Sequence, residues 1–234
     1  MPDPLNWFSN WIHSKESKVL EIFDFKIAAA ENEIEYEKAS FRQIFPFDHV
    51  VLEPGKVRKH EHCFHYSTDH AHIKIFDEFY SKTGPEYTGI RVELKEFKLP
   101  DLDIARSDAP LKIYPHSYMS EMDLAPSADW LSGAFKVLTP YKEPTEPIID
   151  LLARSYNLQA LLERSQFFLL TIREEHLCLY YKMSIQADSL QIHQLKEDAN
   201  LLVTIFTSST DDQIEQLKRD EQADDEGNAE DTKS

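Results

Sequence analysis

Two apolar segments joined by a two-residue turn are the part of this sequence that most restricts its fold. Residues 167–173 and 176–182 flank Glu174-Glu175, and a two-residue loop between them would place only apolar side chains on one face. These are Phe168, Leu170, Ile172, Leu177, Leu179 and Tyr181. Because a shift of one residue would turn every side chain to the other face, the pattern specifies the register. The sequence therefore predicts a β-hairpin with one buried face.

Helical patterns lie on both sides of this hairpin. Thr145 is suited to cap a helix with Pro147 in its first turn, and apolar residues continue at helical spacing to Leu162. A last helix is predicted from about Asp188, with five apolar residues on its buried face. These are Ile192, Leu195, Ala199, Leu202 and Phe206. The C-terminal third is thus predicted to be a helix–β-hairpin–helix unit.

A long N-terminal helix is predicted over residues 14–44, because its apolar residues recur at spacings of three, four or seven. The stripe consists of Leu20, Phe23, Ile27, Ala30, Ile34 and Phe41. Pro46 stops the pattern, and we expect the helical segment to pack on the core. An apolar stretch precedes it, and we interpret this stretch either as a lid helix on the core, which we favour, or as a hook that binds a partner. Its residues are Leu5, Trp7, Phe8, Trp11 and Ile12.

The middle of the chain predicts a mixed or antiparallel sheet. Strands are expected at residues 50–52, 56–66, 87–99, 111–114 and 134–138. Residues 69–82 fit a strand or a helix, and helix is slightly favoured because Ile73, Phe76 and Tyr80 would share a face. Residues 100–110 are expected to form a polar loop.

An α+β fold in three parts follows from these patterns. Residues 1–45 are predicted to be an N-terminal helical segment packed on the core, residues 46–206 the α+β core, and residues 207–234 a disordered acidic tail. Residues 211–234 contain ten acidic and three basic residues, which gives a charge of -7. The total charge is -17, so the remaining -10 belongs to the body of the protein.

This acidity restricts the class of partner. A surface with net negative charge repels nucleic-acid phosphates and anionic lipid headgroups, whereas it attracts a basic protein. Only two cysteines occur, Cys63 and Cys178, which favours a reducing, cytoplasmic location. No apolar run reaches the length that stable membrane insertion requires. We therefore expect a cytoplasmic protein with a basic protein partner and without nucleic acid.

A histidine cluster is the one candidate for metal chemistry. Five of the ten histidines fall between His60 and His72, and a cysteine lies among them. The candidate ligands are His60, His62, Cys63, His65, His70 and His72, and zinc or another divalent transition metal suits imidazole and thiolate groups.

The geometry of this cluster depends on the local fold. In a strand, His60 and His62 project from one face. If the chain turns at Ser67-Thr68, Cys63 faces His72 and His65 faces His70, which would gather four ligands. If a helix follows Asp69, these four side chains would not lie together. The alternative interpretation is a group of exposed or hydrogen-bonded histidines.

Other catalytic motifs find no support in the sequence. The five glycines never form a phosphate-binding loop, and no Gly-x-Ser-x-Gly nucleophile motif occurs. Pro54-Gly55 followed by His60-Glu61-His62 resembles the first metal motif of cupins. The spacer is short, however, no glutamate follows at the expected distance, and the second cupin motif is missing. A cupin is therefore disfavoured.

A second resemblance covers residues 130–206, about a third of the chain. The Phe135-Lys136-Val137 strand, the helix up to Leu162 and the hairpin resemble the C-terminal part of an uncharacterised bacterial family of domains of unknown function, whose members often sit beside membrane anchors. The resemblance implies a bacterial α+β domain and assigns no functional residue.

These observations predict a non-catalytic binding or regulatory protein that acts through protein–protein contacts, for example by masking a basic partner. The alternative is a metal-dependent enzyme or metal-binding protein centred on residues 60–72.

Overall fold

One antiparallel sheet organises the protein. The computed structural model describes residues 4–38, 59–79, 86–95, 99–108, 119–121, 129–140, 152 and 155–207. The nine strands are β1 (Glu35–Glu37), β2 (Lys59–Ser67), β3 (Ala71–Phe79), β4 (Glu86–Leu94), β5 (Leu99–Arg106), β6 (Met119–Glu121), β7 (Phe135–Pro140), β8 (Phe167–Glu174) and β9 (His176–Tyr181). Their order is β1-β2-β3-β4-β9-β8-β5-β7-β6, with antiparallel neighbours throughout. The predicted α+β fold is confirmed, and its sheet is antiparallel.

Helices cover one face of this sheet. They are α1 (Pro4–Glu31), α2 (Asp129–Ala134), α3 (Tyr156–Leu162) and α4 (189–207). Each contributes to the main hydrophobic core, through Phe25, Leu131, Leu161 and Leu202 respectively. A smaller apolar cluster lies on the opposite face of the sheet and includes Phe76, Phe168 and Tyr180. Within the described part of the chain, no helix combines the length and the apolar character that crossing a membrane requires.

The N-terminal helix ends earlier than the sequence pattern predicts. It stops at Glu31 rather than near residue 44, because Glu33 adopts a left-handed φ of 55°. The Ile34 N–H then donates to the Ala29 carbonyl, 3.1 Å away, which closes the last turn. Asn32 fixes this end in the core, since its side-chain amide donates to the Ser189 carbonyl on α4. The chain therefore enters β1 directly after the helix.

The face of α1 that packs on the core also differs from the prediction. Phe25, Ala28 and Ala29 are buried, whereas the predicted stripe residues Leu20, Phe23, Ile27 and Ala30 are exposed. Among the described stripe residues, only Ile34, beyond the helix end, is buried as expected, and Phe41 lies outside the described residues. Two apolar faces exist on this helix, and periodicity alone does not distinguish them.

Two segments of the middle region were assigned wrongly from the sequence. The sequence pattern favours a helix over residues 69–82, but 71–79 form strand β3, which pairs with both β2 and β4. Residues 100–110 were expected to be a loop, but β5 occupies Leu99–Arg106. Pairing with a strand on each side, which includes nine residue pairs with β4, outweighs the local helical preference of β3. Thr207, the first residue of the predicted tail, is the last residue of α4 and is buried. The remainder of that tail at 208–234 and the predicted strands at 50–52 and 111–114 lie outside the described residues.

The C-terminal unit is confirmed with two local changes. Arg173 pairs with His176 and Ile172 with Leu177, so the register is the one predicted. A bulge between Phe167 and Leu169 moves Phe168 to the opposite face. Of the predicted helix from Thr145 to Leu162, α3 forms the last part and begins after Ser155, whose extended backbone and side chain cap it. Residues 145–151 of that prediction lie outside the described residues. The last helix buries all five predicted residues.

Candidate functional site

The histidine cluster lies on the β2–β3 hairpin, but its residues are not gathered as predicted. The turn is formed by Asp69 and His70, because the Thr68 N–H donates to the Ala71 carbonyl at 2.9 Å. Ser67 consequently pairs with His72. The expected opposition of Cys63 to His72 and of His65 to His70 is therefore wrong, since the turn was placed too early in the chain.

A bulge separates the first members of the cluster. The β2–β3 register shifts between Glu61 and Phe64, and His62 has a φ of 51°. The His62 ring turns towards α1 and stacks on Phe25 with a centroid distance of 4.0 Å. Cys63 instead belongs to the buried cluster on the other face of the sheet. His62 and Cys63 therefore point away from each other.

The hydroxyl of Tyr36 completes the surroundings of His62. It lies 3.1 Å from Nδ1, and the Glu21 carboxylate lies 3.9 Å from Nε2. Burial, with a smaller contribution from Glu21, raises the pKa of Tyr36 to about 12. Tyr36 therefore stays protonated at neutral pH. His62 thus joins α1, β1 and β2 by aromatic stacking and hydrogen bonding.

The remaining histidines of the cluster lie at or near the surface. His65 Nε2 is 2.8 Å from Glu35 Oε2, and His72 Nδ1 is 2.8 Å from Ser67 Oγ. His70 is exposed in the turn, and the side chain of His60 lies outside the described part. Among the described residues, no group of three or more His, Cys, Asp or Glu side chains could hold a metal ion. The metal site therefore remains a prediction, and no cluster among the described residues supports it.

A broad polar groove lies beside these residues. It has a volume of about 740 Å³ and lies on the sheet face opposite the helices. Cross-strand pairing arranges its side chains in two rows. The first row is Glu35, His65, Lys74 and Arg91, and the second is Ser67, His72 and Glu93. Beyond the groove, Glu93 pairs with His176 of β9. Glu33, at the end of α1, adds a further carboxylate to the lining.

The charges in this groove are not balanced by local pairing. The groove cations Lys74 and Arg91 already take part in interactions within the protein, and Arg91 Nη2 lies 3.4 Å from His176 Nδ1. The side chains of Glu33 and Glu93 form no ion pair with any other described residue. The groove therefore offers unpaired carboxylates to an approaching ligand.

The second polar row continues from the groove into the buried part of the sheet. Arg173 pairs with His176 and donates to both carboxylate oxygens of Asp103, with each N–O distance 2.8 Å. Burial raises the pKa of Asp103, and the Arg173 guanidinium opposes that rise. Burial, together with the Arg91 charge, lowers the pKa of His176. Asp103 lies within the stretch 100–110 that the sequence predicts as a loop, and no sequence pattern marks it as a buried residue.

A separate polar network lies between β9, α4 and the end of α3. The Tyr181 hydroxyl donates to Asp198 Oδ2 at 2.7 Å, and Arg164 Nη2 lies 2.6 Å from Oδ1. Gln194 donates to the same carboxylate, so Asp198 is bonded from three sides. Burial raises the pKa of both Tyr181 and Asp198. This network fastens α4 to the sheet and borders a cavity of about 370 Å³.

Comparison with known proteins defines the fold class and goes no further. The chain shares its architecture with the crystal structure of the mycobacterial trehalose monomycolate transport factor A. The match covers 78% of this chain and 92% of that one, with a TM-score of 0.53 and 10% sequence identity. A likeness at this identity establishes a common fold. No family model matches the sequence, and no curated protein does either.

Proposed function

We propose that this protein is a non-catalytic binding protein that holds a basic segment of a protein partner in the groove of β1–β4. The observation that carries the proposal is the pair of carboxylates, Glu33 and Glu93, that line the groove without an ion-pair partner among the described residues. Glu35 also lines the groove, so three carboxylates stand against the two cations Lys74 and Arg91, and the net charge of the lining is negative.

The charge of the whole molecule favours the same class of partner. A net charge of -17 attracts a basic protein over long distances and accelerates the encounter. The groove then supplies close contacts, because carboxylates separated across strands can each accept a bond from lysine or arginine. A cytoplasmic location and the masking of a basic partner are further predictions that accompany this proposal.

The buried ionisable groups support a binding role over catalysis. Asp103 is bonded to Arg173, and Asp198 is bonded to Tyr181, Gln194 and Arg164. Each of these carboxylates connects neighbouring strands or helices. A buried carboxyl group whose pKa is shifted can in this way stabilise the fold.

Charge reversal combined with a peptide probe tests the proposal. We expect a fluorescently labelled octalysine peptide to bind the wild-type protein at low salt, as measured by fluorescence anisotropy. The Glu33→Lys/Glu93→Lys variant should bind roughly tenfold more weakly, because two direct contacts become repulsive. Added salt should weaken binding to the wild type.

A matched variant separates the groove from the net charge. Glu37→Lys/Glu163→Lys changes the total charge by the same amount, at exposed residues that do not line the groove. This variant should retain nearly wild-type affinity. Equal losses in both variants would show that the peptide responds to overall charge alone, and the proposed groove function would be wrong.

A further inference from the structure

The N-terminal helix carries an apolar face that the described part of the chain leaves uncovered. Val19, Leu20 and Phe23 are 64%, 64% and 63% exposed, and Ile27 is 47% exposed. The opposite face, with Phe25, Ala28 and Ala29, is buried against the sheet. Exposed aromatic and aliphatic side chains in a continuous stripe are characteristic of an interaction surface. This face can be approached without displacing any core residue.

The exposed residues follow the pattern of a two-stranded helical contact. Leu20, Phe23, Ile27 and Ala30 are separated by three, four and three residues, which corresponds to alternating a and d positions of a heptad. All four side chains lie on the exposed side of the helix. An apolar stripe with this spacing forms a seam, which packs against the identical seam of a second helix. A two-fold axis makes such a contact self-complementary.

The charges beside the seam specify the partner and the orientation. In this heptad frame Lys26 occupies a g position and Glu31 the e position five residues later. In a parallel pair of identical helices, each g residue faces the e residue of the other helix. An antiparallel pair would place like charges together. Both side chains are exposed, and neither forms an ion pair with another described residue.

We infer that α1 pairs with α1 of a second copy of this chain, in parallel and in register. Leu20, Phe23 and Ile27 form the seam, and Lys26 of each copy pairs with Glu31 of the other. This contact is separate from the groove, which contains none of these residues. The seam is short, so we expect a dimer that dissociates on dilution.

Cysteine crosslinking tests the orientation in the full-length protein. The Leu20→Cys and Ile27→Cys variants should each form a disulfide-linked dimer under mild oxidation. Positions 20 and 27 are about 10.5 Å apart along the helix axis. An antiparallel pair could therefore bring only one of them close to its counterpart. The native Cys63 and Cys178 are fully buried and provide a low background.

A matched position controls for random collision. Lys18 is exposed on α1 outside the seam, and Lys18→Cys should give little dimer under the same conditions. Crosslinking at 18 as efficient as at 20 and 27 would overturn the proposal. So would the absence of crosslinks at 20 and 27, since another segment or another partner would then cover the stripe.

Charge reversal tests the pairing of Lys26 with Glu31 by sedimentation velocity. Lys26→Glu alone and Glu31→Lys alone should each weaken the dimer about tenfold, because two attractive pairs become repulsive. The double variant Lys26→Glu/Glu31→Lys should recover wild-type dimerisation. A wild type that remains monomeric at every concentration, or a double variant no better than the single ones, would contradict the inference. Octalysine binding, measured separately, reports on the groove.

Discussion

Arg173 and Asp103 form a bidentate ion pair across neighbouring strands inside the sheet. Two guanidinium nitrogens of Arg173 donate to the two oxygens of Asp103, each over 2.8 Å, and both residues are buried. Asp103 lies on β5 and Arg173 on β8, where a register shift occurs between Leu99 and Leu102. The pair therefore secures the C-terminal hairpin to the middle of the chain. It also begins the polar row that leads through His176 to the groove.

Removing one member of this pair should strongly destabilise the protein. Arg173→Leu leaves the Asp103 carboxylate buried without its partner, so we expect a loss of about 3–5 kcal/mol in the free energy of unfolding. Urea denaturation measures this loss. The double variant Arg173→Leu/Asp103→Leu should recover much of it, because no charge remains buried. Arg106→Ala breaks an exposed ion pair with Asp108 and should cost less than about 1 kcal/mol. A comparable small loss for Arg173→Leu would contradict this role.

Acidification should destabilise the protein through His176. Burial and Arg91 lower its pKa in the folded state below the ordinary value of 6.5. Between that lowered pKa and 6.5, the unfolded chain binds more protons than the folded one, so stability falls as the pH falls through this range. His176→Gln removes this contribution and should flatten the pH dependence of the denaturation midpoint. His193→Gln, at an exposed position of α4, serves as the control. Identical slopes in wild type and His176→Gln would refute the prediction.

Gly89 should tolerate no larger side chain. It pairs with Phe76, and a Cβ atom at position 89 would lie 2.5 Å from Phe76 Cζ. Because Phe76 is fully buried, we expect Gly89→Ala to cost about 1–3 kcal/mol. A Cβ at Gly133 in α2 would meet nothing within 4 Å, so Gly133→Ala should be neutral or stabilising. Thermal denaturation compares the two, and equal melting temperatures would show that the packing at Phe76 is looser than described.

His62 should matter for stability rather than for metal content. His62→Ala removes the stacking on Phe25 and the contact with Tyr36, and we expect a loss of about 1–3 kcal/mol. His72→Ala, at an exposed position, should change stability by less than about 0.5 kcal/mol. Elemental analysis of the His60→Ala/His62→Ala variant addresses the metal hypothesis. Stoichiometric zinc in the wild type that disappears in the variant would establish the alternative function.

Prediction from the sequence was most accurate where an apolar pattern is compatible with a single arrangement of the chain. The hairpin register followed from apolar side chains on a single face, and Ile172 does pair with Leu177. The last helix was located for the same reason. In α1 two apolar faces compete, and only the tertiary structure shows that Phe25 is buried while Phe23 is exposed.

The candidate site depended on features that a sequence pattern does not reveal. The left-handed backbone at His62 and the bulge around it separate His62 from Cys63, although the two are adjacent in sequence. Because the turn lies at Asp69-His70 and not at Ser67-Thr68, every residue pair of the hairpin differs from the predicted one. The groove itself is built from Glu33 and Glu93, which are distant in sequence, and one acidic residue among many gives no signal in so acidic a chain.

Locating the binding site of a basic ligand tests the central claim most directly. Backbone amide chemical shifts, recorded by NMR while octalysine is added, report which residues the peptide touches. We predict that the largest changes cluster at the groove, at Glu33, Glu35, His72 and Glu93. Changes spread equally over the acidic surfaces of α1 and α4, with none concentrated at the groove, would contradict the proposed function.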